Sequence, residues 1–381
     1  MEKRYVYLLV WAVHFIGLTG CNNECFYTTS GESLITRTET GQSLKDSPFP
    51  FGLAVGVNYL KSDERYKEIV RNEVTRISTE NAMKMNVISK GRGIYNWTDP
   101  DYIVNFAQNN NLKIHGHTLL WYRQTPQWIA DFKGEKEEWI QIMKEYIFDV
   151  VGRYKGKVSS WDVVNEVIND NGEVYEKNGS YENLWMKNIG IEYIDLAFRF
   201  AHEADPDALL FYNEYGYEYS PLRRKGVNEL VNSLKERGVP IHGMGLQMHT
   251  NINHPISDLK NSIIMLADST KLRVHISELD VSLNPKHDPD LKLTDELLKR
   301  QQVHYCEIVK AMKRIPKEQQ FGITCWGVID SSSYMASNPD WPLLFDNYYQ
   351  RKPAYQGVIE GFKVSNSKTL PSCLCIVSLQ R

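Results

Sequence analysis

The sequence predicts a single-domain α/β fold, a (β/α)8 TIM barrel. Three observations predict it: eight apolar, β-prone runs between residues 51 and 330, amphipathic helical patterns between them, and polar residues gathered where the runs end. The first run is "FGLAVGVN" (51–58), and no glycine-rich phosphate turn follows it, so the dinucleotide-binding open sheet has little support. The second, "EVTRISTEN" (73–81), ends in Glu80 and Asn81, and the third, "LKIHGHTLLW" (112–121), carries His117 and Trp121. "KVSSWDVVNE" (157–166) is valine-rich yet closes on Asn165 and Glu166, an amide and a carboxylate that are unfavourable to bury without partners. "ALLFYNEY" (208–215), "HGMGLQMHT" (242–250) and "LRVHISELDV" (272–281) end in Asn213 and Glu214, in Gln247 and His249, and in Glu278 and Asp280. "FGITCWGVID" (321–330) completes the set. Between runs, stretches such as "EEWIQIMKEYIFDVVGRY" and "DELLKRQQVHYCEIVKAMKRI" place apolar residues near i, i+3, i+4 and i+7, the helical period.

Composition is consistent with that fold. The chain has 381 residues, of which 42% are hydrophobic and 24% charged, enough apolar side chain for a large core and not the composition of a disordered chain. A formal charge of -3 with interleaved signs offers no basic face, which argues against nucleic acid as a partner. Residues 1–20, with Lys3 and Arg4 before an apolar run, have the layout of a lipoprotein-type signal peptide, and Leu18-Thr19-Gly20-Cys21 resembles a lipobox with Cys21 as the lipidated residue. Residues 21–42 then read as a polar tether, 43–363 as the catalytic domain and 364–381 as a tail. The expectation is a bacterial cell-envelope protein, secreted and held to the membrane by its lipid alone, and a monomer. No Cys/His spacing indicates zinc, so neither metal nor cofactor is expected.

In a barrel the strand ends converge on one rim, where barrel enzymes carry their chemistry. Glu166 and Glu278 each close a strongly apolar run. Two carboxyl groups facing one another are what glycosidic cleavage by the common route needs, one to protonate the leaving oxygen and one to attack or to activate water. Spacing in the sequence leaves open whether configuration would be retained or inverted. His115, His117 and His249 are read as hydrogen-bonding residues more than as metal ligands, and Asp280 as either a partner in the site or a helix N-cap.

These residues carry a resemblance to glycoside hydrolase family 10, the endo-β-1,4-xylanases, running from Ser43 to about residue 363. It lies in "STENAMKM", "GHTLLWYRQTPQW", "WDVVNEVIND", "YNEYG", "GLQMH", "ISELDV" and "PLLFDNYYQRKPAY", seven segments in the family's order. The resemblance implies a retaining endo-xylanase acting on xylan or xylo-oligosaccharides, with Glu166 as general acid/base and Glu278 as nucleophile. It implies that Asn165 donates to the 2-hydroxyl of the sugar being cleaved, and that His249 and Asp280 orient the nucleophile. Glu80, Asn81, Lys84, His117 and Gln124 would bind hydroxyls on the glycone side, Trp121 and Trp326 would wall the cleavage subsite, and Tyr215 would stack on the aglycone side. Gln247 and Tyr334 complete the implied substrate-binding set, and a Glu80–Lys84 pair is the plain alternative for Lys84. Tyr122, Arg123 and Tyr334 depart from the family's usual residues, which bears on substrate preference. The rival readings are a β-1,4-glucanase or mannanase on the same barrel, and a non-catalytic glycan-binding lipoprotein.

Overall fold

The computed structural model describes residues 41–363. The leader with Cys21, nearly all of the tether, and the tail lie outside the described residues. Eight parallel strands form the centre: β1 (Phe51–Ala54), β2 (Arg76–Ser78), β3 (Lys113–Gly116), β4 (Ser160–Asn165), β5 (Leu209–Glu214), β6 (Gly243–Leu246), β7 (Arg273–Ser282) and β8 (Gln320–Cys325). Each pairs with its sequence neighbours, and β8 returns to β1 with Ile323 opposite Phe51, so the sheet closes without an edge. Eight main helices follow the strands in turn: α1 (Glu64–Glu73), α2 (Thr98–Asn109), α3 (Lys136–Arg153), α4 (Tyr193–Ala204), α5 (Pro221–Glu236), α6 (Ile256–Thr270), α7 (Asp295–Met312) and α8 (Pro353–Phe362).

Local sequence accounts for the helix ends. In α3 the Glu138 carboxylate accepts the Glu135 amide at 2.9 Å, and Glu137 and Glu138 complement the positive end of the helix. One face, Trp139, Ile142, Met143, Tyr146, Ile147, Val150 and Val151, is buried against the barrel, each large side chain contributing about 1.5–3 kcal/mol. Helix α7 begins at the Thr294 hydroxyl, which accepts the Leu297 amide at 3.3 Å. Gly116 leaves room for the Trp161 ring on the next strand, since a β-carbon there would lie 2.2 Å from it.

Several strands are shorter than the apolar runs that predict them. The first run yields strand only to Ala54, because Val57 already opens the helical turn Val57–Ser62 and Leu60 turns into the core. The third breaks after Gly116 and resumes as Leu120–Trp121, with Trp121 opposite Asn165 of β4. The sixth breaks after Leu246 and resumes as His249–Asn251, with His249 opposite Asp280 of β7. The eighth stops at Cys325, short of the run's end at residue 330. Hydrophobicity marks which residues are buried, and not where the backbone bends. Those bends place Trp121 beside Glu166 and His249 beside Asp280.

The barrel interior is partly polar. His115 lies 2.8 Å from the Ser160 hydroxyl and 3.0 Å from Asp162 Oδ1, His117 Nδ1 lies 2.9 Å from Asp162 Oδ2, and His275 faces Thr324 at 2.8 Å. Burial acts to raise the Asp162 carboxyl, but His115 and His117 outweigh it and hold Asp162 below the ordinary carboxylate range.

Candidate active site

The C-terminal rim carries four non-glycine residues in the left-handed backbone region: Glu80 (φ 31°), Gln124 (φ 53°), Glu166 (φ 54°) and Met248 (φ 60°). Such conformations cost about 1–3 kcal/mol each and persist where the surroundings fix them. At Glu166 the fixing is visible. Its amide donates to the Asn213 carbonyl at 2.9 Å, and its side chain is held from two sides. Trp121 Nε1 donates to Oε2 at 2.9 Å, Gln247 Nε2 donates to Oε1 at 3.1 Å, and the Tyr122 hydroxyl lies 3.5 Å from Oε2.

Glu278, on β7, is buried. Asn213 Nδ2 donates to Oε1 at 2.6 Å, and His249 Nε2 lies 3.2 Å from Oε2. The other nitrogen of His249 is 2.7 Å from Asp280 Oδ2. A neutral imidazole has one N–H, and two carboxylates offer only acceptors, so this geometry fits the doubly protonated ring. Burial opposes that charge, but Asp280 and Glu278 outweigh it and lift His249 well above the ordinary imidazole value. In return, although burial acts to raise Glu278, the His249 hydrogen bond and the charges of His117, His249 and Lys84 hold its carboxyl below the usual value. Asp280 sits inside a strand against His249, so the N-cap alternative does not apply.

A bridge of amides joins the two glutamates. Asn213 Nδ2 also donates to Asn165 Oδ1 at 2.9 Å, and Gln247 Nε2 approaches the same oxygen at 3.5 Å. The chain of contacts therefore runs Glu278, Asn213, Asn165, Gln247, Glu166. Asn165 has its oxygen engaged twice, which leaves its amide N–H groups to donate elsewhere. The bridge needs Gly245, because a β-carbon there would lie 2.1 Å from Asn213 Oδ1.

On one side of the pair, Lys84 Nζ donates to Asn81 Oδ1 at 2.9 Å and lies 5.0 Å over the Trp121 ring, while Asn81 donates to Glu80 at 3.0 Å. Lys84 thus meets Glu80 through Asn81, and the simple Glu80–Lys84 pair is not formed. Burial lowers Lys84, against the opposing charges of Glu278, Glu80 and Glu166. The His117 ring meets Trp326 edge-on at 5.1 Å, and Tyr334, 57% exposed, stands edge-on over His249 at 5.3 Å. Gln124 is exposed at the same rim.

On the other side, Tyr215 is half-buried and one of its faces is covered. The Arg223 guanidinium lies 4.0 Å from its ring and donates to its hydroxyl at 2.7 Å. Arg223 is itself buried, reaching Asp170 Oδ1 at 2.9 Å, the Tyr175 hydroxyl at 3.1 Å and Glu214 Oε1 at 3.4 Å. Burial pushes the Glu214 carboxyl up to about 8. Sequence reasoning missed Arg223, which looks like any basic residue at a helix start. It also passed over Asp162, for which a charged residue inside the apolar run "WDVVNE" was the available signal.

The structure therefore brings Glu80, Asn81, Lys84, His117, Trp121, Asn165, Glu166, Tyr215, Gln247, His249, Glu278, Asp280, Trp326 and Tyr334 to one end of the barrel. Among the described residues no cluster of three or more His, Cys, Asp or Glu side chains is arranged to hold a metal ion. Paired carboxyl groups at such a rim can carry acid–base and nucleophilic chemistry.

The chain is similar to known proteins over most of its length. The chain matches Glycosyl hydrolase family 10 over residues 41–361. It is 35% identical over 318 residues to the Beta-1,4-xylanase of Dictyoglomus thermophilum, spanning 81% of this chain and 88% of that protein. With Endo-1,4-beta-xylanase A of Thermoanaerobacterium saccharolyticum it shares 34% identity over 327 residues, 83% of this chain and 27% of that longer protein. The crystal structure of xylanase 10B from Thermotoga petrophila RKU-1 in complex with xylobiose aligns with a TM-score of 0.75 at 35% identity, over 82% of this chain and 94% of that one. Closed barrel, paired rim glutamates and a match over nearly all of the described residues agree: the chain belongs to glycosyl hydrolase family 10.

Proposed function

We propose that this protein is a retaining endo-β-1,4-xylanase that cleaves internal bonds of xylan through a covalent glycosyl-enzyme. The observation that carries the proposal is the asymmetry of the glutamate pair: Glu278 is buried among His249, Asn213 and Lys84, which favour its charge, while Glu166 stands at the partly open rim. In the first step the Glu278 carboxylate attacks the anomeric carbon as Glu166 gives its proton to the departing oxygen. Bond formation removes the charge on Glu278, and Glu166, now a carboxylate, takes a proton from the water that releases the sugar. Asn165 donates to the 2-hydroxyl of the reacting sugar. Trp121 and Trp326 wall that sugar, Glu80, Asn81, Lys84, His117 and Gln124 bind the glycone, and the free face of Tyr215 receives the aglycone. The names of the similar proteins and the xylobiose complex support the substrate.

The test is a time course on xylan and xylohexaose, with soluble cellulose and mannan as controls and the anomer of the first product read by NMR. Short oligosaccharides appearing early with β configuration are expected. First products of α configuration, release from cellulose in place of xylan, or binding without turnover would each overturn the reading. We further propose that the chain is exported and tethered through Cys21, on the support of the leader pattern. Labelled palmitate should enter the wild-type chain and not a Cys21→Ser variant.

A further inference from the structure

At the opposite end of the barrel from the glutamates, the bases of β1, β2 and β3 surround a cavity of about 400 Å3. Its wall includes Arg76, Lys45, Lys113 and Thr75, and among the described residues no acidic side chain lines it. Arg76 is the anomaly. It is only 8% exposed, and its Nε has no hydrogen-bond partner. Nη1 donates to the Phe321 carbonyl at 3.0 Å, and the guanidinium lies 3.8 Å from the Phe321 ring. Among the described residues it makes no ion pair. The acid nearest in sequence, Glu73, is already engaged by Arg351, the Tyr355 hydroxyl and the Leu44 amide.

An unpaired buried charge is strongly unfavourable, and guanidinium geometry matches a planar or tetrahedral oxyanion. One carbonyl and one ring face leave most of that geometry unused. Lys45 and Lys113 add two exposed cations at the mouth, which concentrates anions there. We propose that this cavity binds a phosphate-class oxyanion, with Arg76 as the buried anchor and Lys45 and Lys113 as the rim. Both ends of the described chain lie close by. Phe362, at the end of α8, packs on Phe49 of the cavity wall at 6.4 Å, and Lys45 itself follows the start of the described chain. Such an anion has two sources, free phosphate or the phosphate of a lipid headgroup.

The experiment has an arm for each source, using the whole protein. In the first, melting is followed in saturating inorganic phosphate against chloride of equal ionic strength. A phosphate-specific rise of about 3 °C is expected, and it should be lost in the Lys45→Ala/Lys113→Ala double variant and in Arg76→Met. In the second, co-sedimentation with phosphatidylglycerol vesicles is compared with phosphatidylcholine vesicles. Binding to the anionic vesicles alone, lost in the double variant, assigns the headgroup. The double variant changes exposed side chains, so it reports even if Arg76→Met fails to fold. Absence of a specific response in both arms, or variants that respond like the wild type, overturns the proposal.

Discussion

Replacing Arg223 by methionine, a side chain of similar reach with no donors, tests whether the buried cation organises the aglycone side. The change leaves the Tyr215 and Tyr175 hydroxyls, the Ile168 carbonyl and Glu214 Oε1 each short of one donor, and that donor is itself buried. Removing one partner of a buried ionic network costs about 3–5 kcal/mol. With about 2 cal/mol/K of unfolding entropy per residue over residues 41–363, that corresponds to a fall in Tm of about 4–8 °C. The deficit should depend on pH. Burial already pushes Glu214 up to about 8, so the folded protein binds a proton that the unfolded chain releases nearer 4.5, and stability falls as pH rises between these values. Without Arg223 the ionised form has lost its counter-charge, so the gap between variant and wild type should be wider at pH 8 than at pH 5. Catalytically, Tyr215 loses a charge-assisted hydrogen bond of about 1.5–3 kcal/mol, and KM for xylohexaose should rise by roughly tenfold. An aryl xylobioside, whose leaving group leans less on that ring, should be affected less. Arg223→Lys keeps the charge without the five-donor fork and should fall between. Calorimetry across pH and steady-state kinetics on both substrates make the measurement. A Tm within a degree of wild type, or equal effects on both substrates, would refute the reasoning.

Three further outcomes are expected. Glu278→Ala should lower kcat on xylan by roughly 10^4-fold or more while oligosaccharide binding persists, read by initial rates and calorimetric titration; full activity would remove Glu278 from its role. Glu166→Ala should lose far more on xylan than on aryl glycosides with acidic leaving groups, because those depart without a proton, and equal losses would argue against the acid role. Asp280→Asn removes the charge opposite His249, so the ring loses its reason to be doubly protonated and Glu278 loses a charged donor. The Glu278 carboxyl then rises, and the acidic limb of kcat/KM against pH should move to higher pH; an unmoved limb would show that His249 does not hold Glu278 ionised.

Much of the fold was legible because burial leaves a period in the sequence. Apolar runs such as "WDVVNE" and "ISELDV" announced strands, and the helical spacing in α3 and α7 announced what covers them. Glu166 and Glu278 were legible as carboxyl groups closing apolar runs, whereas Lys84, Gln124 and Tyr334 were legible only through the family resemblance. Less legible were Arg223 and Asp162, whose partners lie on other elements, and the breaks after Gly116 and Leu246, which depend on backbone direction.

The sequence by itself determined the alternation of strand and helix, and the identity of the two glutamates that close apolar strands, because side-chain hydrophobicity and its spacing are local properties of the chain. Tertiary structure alone decided that Glu278 is bracketed by His249 and Asn213, that an amide bridge ties it to Glu166, and that Arg223 covers one face of Tyr215. Hydrogen bonds act over about 3 Å, and closing the barrel is what brings residues far apart in the chain to that distance.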